Sequence, residues 1–208
     1  GIARVSSKVL AGEVVTLSVD WEHIPAKHRS LIKAFLDEAD MSADVIKTVD
    51  FPPAYGADIV VSCEKAKDPK NGSIYLKPTQ FVLGIGCRRN TAFENIDRAI
   101  RQSLLKLQID ISDIDMIASI DVKKDEPGIK EFCDRNRIDF VTYTADELMA
   151  VQGEFSASQF VREHVGVDNV CERAAVLAGS RECNKAGELI YKKHKYDSVT
   201  VAAAKYPD

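Results

Sequence analysis

Two pairs of cations follow apolar runs in this chain: Arg88 and Arg89 after VLGIGC at 82–87, and Lys123 and Lys124 after MIASIDV at 116–122. Each pair stands just ahead of a segment with helical periodicity. The free N–H groups and the dipole at a helix start already favour an anion, so cations placed there repel the dipole unless something negative is held as well. Gly84 and Gly86 form a G-x-G ahead of the arginines and would let the backbone turn tightly and approach a ligand. Thr91 closes the same loop. A dinucleotide-binding turn would carry its third glycine at position 89, where this chain has arginine, which argues against a nucleotide- or phosphate-binding module of that kind. The chemistry on offer is recognition of carboxylates or phosphates, several at once if the two apolar runs are parallel neighbours sharing one rim. The plain alternatives are a tight strand-to-helix turn and solvated surface charge.

Other reactive residue types are sparse. Cys87 could be a thiolate nucleophile, but no histidine stands near it in sequence, and a small buried residue at a strand end explains it better. His23, His28, His164 and His194 make no metal-ligand spacing, and no metal site is expected. Cys63, Cys87, Cys133, Cys171 and Cys183 form no C-x-x-C pair, and no secretory segment opens the chain, which fits a reduced, cytoplasmic protein. No apolar run approaches the ~20 residues that span a bilayer, so no membrane association is expected. With a net charge of -4 over 208 residues, nucleic acid is a poor partner, and an anionic ligand must be held by a local basic patch. Hydrophobic residues at 45% and charged residues at 29% are the balance of an ordinary folded protein. The chain opens at Gly1 without methionine, which reads as a trimmed form or the rear part of something longer.

The elements that must position these residues fall into two groups. Upstream, 13–21, 43–50 and 57–65 are rich in β-branched residues, AKHRSLIKAFLDEAD at 26–40 has helical spacing, the charged KAKDPKNGS at 65–73 reads as a turn, and SIYLKP at 73–78 is one more strand. This predicts a small α/β domain over 1–79. Downstream, 81–87, 114–122 and 138–144 read as buried strands alternating with helices over 91–107 and 126–137. Thr91 with Glu94 and Thr144 with Glu147 have the spacing of capping boxes. Segments 156–166 and 169–179 read as short helices each stopped by glycine, and 188–204 as two strands around a Lys-Tyr-Asp turn. The prediction for 80–208 is a three-layer α/β/α domain with a mostly parallel, mixed sheet.

Taken together, GIGCRRNT, ASIDVKKDEPGIKEF, FSASQFVREHVGVDNVCERAAVLAG and TVAAAK, in that order and spacing, resemble the C-terminal domain of the CbiG family, the cobalt-precorrin-5A hydrolases of cobalamin biosynthesis. They span residues 80 to 205, and VSSKVLAGEVVTLSVDW resembles that family's middle region. Asn90 stands where the family motif usually has glycine, a mild departure because asparagine tolerates a left-handed backbone. The resemblance implies the anaerobic route to vitamin B12, in which the ring-A lactone of cobalt-precorrin-5A is opened and acetaldehyde released. The partner so implied is an anionic cobalt-tetrapyrrole substrate, with other enzymes of the same pathway as further partners. The cobalt arrives within the substrate and no protein-bound cofactor is implied.

Lactone opening needs a base for the attacking water and donors for the oxyanion. Asp125, Glu126 and Glu172 are the candidate carboxylates, and Gly84, Gly86, Arg88, Arg89, Thr91, Lys123, Lys124, Ser156 and Ser158 the candidate substrate-binding residues. Asp125 and Glu126 read equally well as helix caps, as do the two serines. No Ser-His-Asp arrangement is present, which argues against an acyl-enzyme. The alternative function is a non-catalytic tetrapyrrole-binding or carrier domain, with the chemistry in an N-terminal domain that this chain lacks.

Overall fold

The strand-helix alternation read along the chain is realised in a computed structural model that describes residues 1–40, 46–53, 56–63, 72–157, 163, 166–181 and 186–207. The chain forms two compact units, Gly1–Pro78 and Thr79–Pro207.

In the first unit, α1 (Ile2–Leu10) and β1 (Val15–Val19) are followed by α2 (Ala26–Asp40), β2 (Ile46–Val49), β3 (Ile59–Val61) and β4 (Ile74–Leu76). The strands form one parallel sheet in the order β2-β1-β3-β4. Leu17, Val19, Val61 and Ile24 pack with Ile32 and Leu36 of α2 to form its core. Residues 43–45 and 64–71, which carry two of the expected strand ends and most of the expected turn, lie outside the described residues. The helix α1 corresponds to no expected element. It buries no residue and is held by charge instead: Arg4 and Lys8, one turn apart, each reach the buried Asp58 carboxylate at 2.8 Å. Thr16 donates its N–H and its hydroxyl to the same carboxylate at 2.9 Å. Burial alone would raise the Asp58 carboxyl, but the bonds from Lys8 and Thr16 outweigh it and hold the group at about 2.

In the second unit, β5 (Phe81–Cys87), α3 (Phe93–Leu107), β6 (Ile114–Ile120), α4 (Pro127–Asn136) and β7 (Asp139–Tyr143) precede α5 (Ala145–Ala150), α6 (Val170–Gly179), β8 (Glu188–Tyr196) and β9 (Val199–Lys205). The sheet order is β7-β6-β5-β9-β8. The first three strands are parallel, as two helical crossovers require, and the closing hairpin is antiparallel. On one face Leu83, Ile85 and Ile117 pack against Ile96, Ile100 and Leu104 of α3 and Phe132 of α4. On the other, Val82, Met116 and Ala118 pack against Leu148 of α5 and Val170, Ala174 and Ala178 of α6. Three layers result. β5 is apolar along its length because both of its faces are covered.

Several local expectations change in the folded chain. Gly84 and Gly86 lie within β5 rather than in a turn. A Cβ on Gly84 would stand 1.8 Å from the carbonyl oxygen of Cys171, so this glycine lets the first turn of α6 rest on the strand backbone. Thr91 does not cap α3: the N-cap is Ala92, with no side-chain bond, while the Thr91 hydroxyl donates to the carbonyl of Arg88 at 2.7 Å. The second box forms as read, Thr144 and Glu147 each bonding the other's backbone N–H. Pro127 takes the first position of α4 behind Glu126, whose side chain does not cap the helix. Of the expected helix over 156–166, residues 158–162, 164 and 165 lie outside the described residues, among them Ser158 and His164, and so does Cys183.

Candidate functional site

Where β5 and β6 end side by side, a cavity of about 700 Å3 opens at the carboxyl edge of the sheet, the place where open α/β sheets hold ligands. Gly86, Cys87, Arg88 and Arg89 line it from the exit of β5, and Ile120, Val122 and Lys123 from the exit of β6. The first turn of α6 contributes Asn169, Val170 and Cys171, preceded by Asp168. The fourth side is the β8–β9 hairpin, which supplies Lys193, Lys195 and Asp197. Cations therefore outnumber carboxylates among the described lining residues, around a largely apolar interior.

One buried carboxylate ties the two basic loops together. Glu126, 5% exposed, accepts the Thr91 N–H at 3.0 Å with one oxygen and the Lys123 ammonium at 2.9 Å with the other. Gly128 lets the start of α4 sit against this loop, since a Cβ there would meet the Thr91 carbonyl oxygen at 2.3 Å. Asn90 turns the chain with φ 58°, a left-handed conformation that asparagine accepts. The Arg88 N–H donates to the Ser198 carbonyl at 3.0 Å, joining the arginine loop to the hairpin. Arg88 and Arg89 themselves are exposed.

A second buried carboxylate fixes the opposite wall. Glu172 is fully buried and accepts the Ser156 N–H and hydroxyl, each at 2.8 Å, and the Lys193 N–H at 2.6 Å. Its own N–H bonds the side chain of Asn169, the N-cap of α6. The Lys193 N–H is available because β8 slips register against β9 between Tyr191 and His194. That bulge reverses the alternation. Tyr191 and Tyr196 face the α3 side, with His194 stacked on Tyr191 at 4.1 Å, and Lys193 and Lys195 face the cavity.

The titration of the lining groups favours binding over nucleophilic chemistry. Burial pushes the thiol of Cys87 up to about 11 and that of Cys171 to about 12, so neither is a thiolate near neutral pH. Asp168 is held below the usual carboxylate range by hydrogen bonds from Arg173, whose guanidinium reaches its two oxygens at 2.7 and 3.2 Å. Among the described residues no group of three or more His, Cys, Asp or Glu is placed to hold a metal ion.

The geometry gathers Gly86, Arg88, Arg89 and Lys123 of the residues expected from sequence at the cavity. Gly84 is buried under α6, Thr91 is buried with its N–H and hydroxyl engaged, and Lys124 and Asp125 point to solvent, Asp125 3.8 Å from Lys130. Glu126, Glu172 and Ser156 support the walls and do not line the cavity. Lys193, Lys195 and Asp197 escaped the sequence reading, which treated 188–204 only as a hairpin. The signal was there in the run of lysines at 192, 193 and 195, but alternation alone cannot say which of them faces a ligand when a bulge intervenes.

A family model described as cobalamin synthesis G C-terminus matches residues 81–204. The chain belongs to this family. It is 32% identical over 137 residues to a Methanocaldococcus jannaschii protein named "Probable cobalt-precorrin-5A hydrolase", covering 64% of this chain and 42% of that one. It is 33% identical over 126 residues to the cobalt-precorrin-5A hydrolase of Salmonella typhimurium, covering 61% and 34% respectively. The chain thus spans less than half the length of either relative. The crystal structure of CobE, a protein from the cobalamin (vitamin B12) biosynthetic pathway, superposes with a TM-score of 0.58 at 25% identity, over 62% of this chain and 91% of that one. The fold over the matched part of the chain is therefore that of CobE. No helix of the described residues is long and apolar enough to cross a membrane.

Proposed function

We propose that the chain acts in cobalamin biosynthesis as a cobalt-precorrin-5A hydrolase, opening the ring-A lactone and releasing acetaldehyde. One observation carries the reading: the cavity at the exits of β5 and β6 has an apolar interior and a rim bearing Arg88, Arg89, Lys123, Lys193 and Lys195. The proposed substrate is a flat, cobalt-bearing macrocycle edged with acetate and propionate groups, and the two surfaces are complementary. Apolar burial of the ring and charge-assisted bonds to the carboxylates act together, each good bond contributing roughly 1.5 to 3 kcal/mol. The names of the relatives support the same pathway.

A second reading, in which this chain binds or hands over the tetrapyrrole and another domain supplies the chemistry, is favoured by the commitment of Glu126 and Glu172 to structural bonds. Incubating the chain with cobalt-precorrin-5A and assaying acetaldehyde separates the two. Release is expected. Binding without release would leave the carrier role in its place.

A further inference from the structure

Two carboxylates line the cavity among the described residues, and they differ in what already occupies them. Asp168 is held through both oxygens by Arg173, which also donates to the Val151 carbonyl at 2.9 Å and lies over the Phe155 ring. Asp168 is thus already committed to an ion pair. Asp197 has no hydrogen-bond or ion-pair partner among the described residues. It stands in the tight turn between Tyr196 and Val199, which pair across the hairpin, with φ 45°, a conformation that asparagine and glycine also accept. The next residue, Ser198, takes the Arg88 N–H at 3.0 Å, so the turn is stitched to the loop that carries both arginines.

We propose that Asp197 is the catalytic base, resting on the hydrolase reading above: an exposed, unpartnered carboxylate among the residues lining the cavity, on a turn whose backbone is bonded to the cationic loop of β5. In the step it serves, a water oxygen bonds to the lactone acyl carbon while Asp197 accepts the water proton. The carbonyl electron pair moves onto its oxygen, giving an oxyanion that the rim cations stabilise. Collapse reforms the carbonyl and breaks the bond to the ring oxygen, which leaves as an alkoxide and takes the proton back from Asp197. Lactone and water give the hydroxy acid with no other reactant consumed; the two-carbon fragment leaves as acetaldehyde only after this opening, so a slowed opening slows its release.

The test uses the full chain with cobalt-precorrin-5A, measuring binding and acetaldehyde release side by side. Asp197→Asn preserves the turn and should bind within about threefold of the parent yet lose roughly two to four orders of magnitude in rate. Asp197→Gly, equally compatible with φ 45°, should lose as much and recover part of the rate when formate is added as an external base. An Asn variant keeping more than a tenth of the rate would overturn the assignment, as would a Gly variant that binds but gains nothing from formate. A parent chain that releases no acetaldehyde, whether or not it binds, sinks the hydrolase reading itself and the assignment with it, a result distinct from either variant outcome.

Discussion

Glu126 carries its charge where water barely reaches it, and its two partners explain why a carboxylate is kept there. Lys123, with a side chain only 13% exposed, depends on it for charge balance, and the Thr91 N–H depends on it for an acceptor. Replacing Glu126 by Gln leaves an acceptor for Thr91 but sets an amide against a nearly buried ammonium. A loss of roughly 1.5 to 3 kcal/mol is expected, read as a lower denaturation midpoint with an unchanged slope. Asp125→Ala is the matching control. Its carboxylate is 77% exposed and 3.8 Å from Lys130, so its removal should move stability by less than about 0.5 kcal/mol. If the neighbouring carboxylates behave alike, Glu126 does not hold the two loops together. Arg88 and Arg89 belong at this scale too. Both are exposed, so changing either to Ala should leave stability alone and weaken binding of cobalt-precorrin-5A by roughly 1.5 to 3 kcal/mol, measurable by titration calorimetry.

At the scale of elements, two attachments are unlike ordinary apolar packing. The helix α6 rests on β5 through Gly84, and alanine there must displace a helix backbone rather than a flexible side chain. Gly84→Ala should therefore cost about 3 kcal/mol or more. Gly86→Ala meets only the Thr200 hydroxyl, at 2.7 Å, and should cost clearly less in the same denaturation experiment. The helix α1 is docked by charge through Asp58. Its carboxyl is depressed in the folded state to about 2 from 3.8, so the stabilisation is complete above pH ~4 and disappears as pH falls toward 2. The shift corresponds to roughly 2 kcal/mol. Amide hydrogen exchange should show α1 losing protection across that window, and Asp58→Asn should show the loss already at neutral pH. Equal protection at pH 2 and pH 5 would mean that α1 is held some other way. These attachments also mark where sequence reading succeeds and stops. The parallel strands and α3 were readable because burial on both faces forces a continuous apolar run and a helix stripe repeats every three to four residues. The helix α1 was missed because its bonding partner lies 50 residues away. The β8 bulge was missed because one extra residue inverts a face without changing composition. Thr91 had the spacing of a cap, but its hydroxyl donates to the Arg88 carbonyl and its N–H goes to the carboxylate of Glu126, just ahead of α4.

For the molecule as a whole, charge poses a conflict that position resolves. The chain carries a net charge of -4, which repels a polyanion at long range, while the cavity rim is cationic. At physiological salt, fields are screened beyond roughly 8 Å, so contacts at the rim should dominate and the net charge should matter little. Two variants with the same net charge make the comparison. Lys195→Glu reverses a charge on the cavity wall; Arg98→Glu reverses one on the exposed face of α3, away from the cavity lining. Both residues are exposed, so neither change should unfold the chain. Titrated with cobalt-precorrin-5A at about 0.15 M salt, Lys195→Glu should lose at least roughly tenfold in affinity, since a lost attraction and a new repulsion together exceed the 1.4 kcal/mol of one decade. Arg98→Glu should stay within about twofold of the parent. Lowering the salt should make a loss at Arg98→Glu appear as the screened field of the distant charge returns. Equal losses at 0.15 M would mean that the overall field governs binding and that the polyanion docks elsewhere than at the exits of β5 and β6.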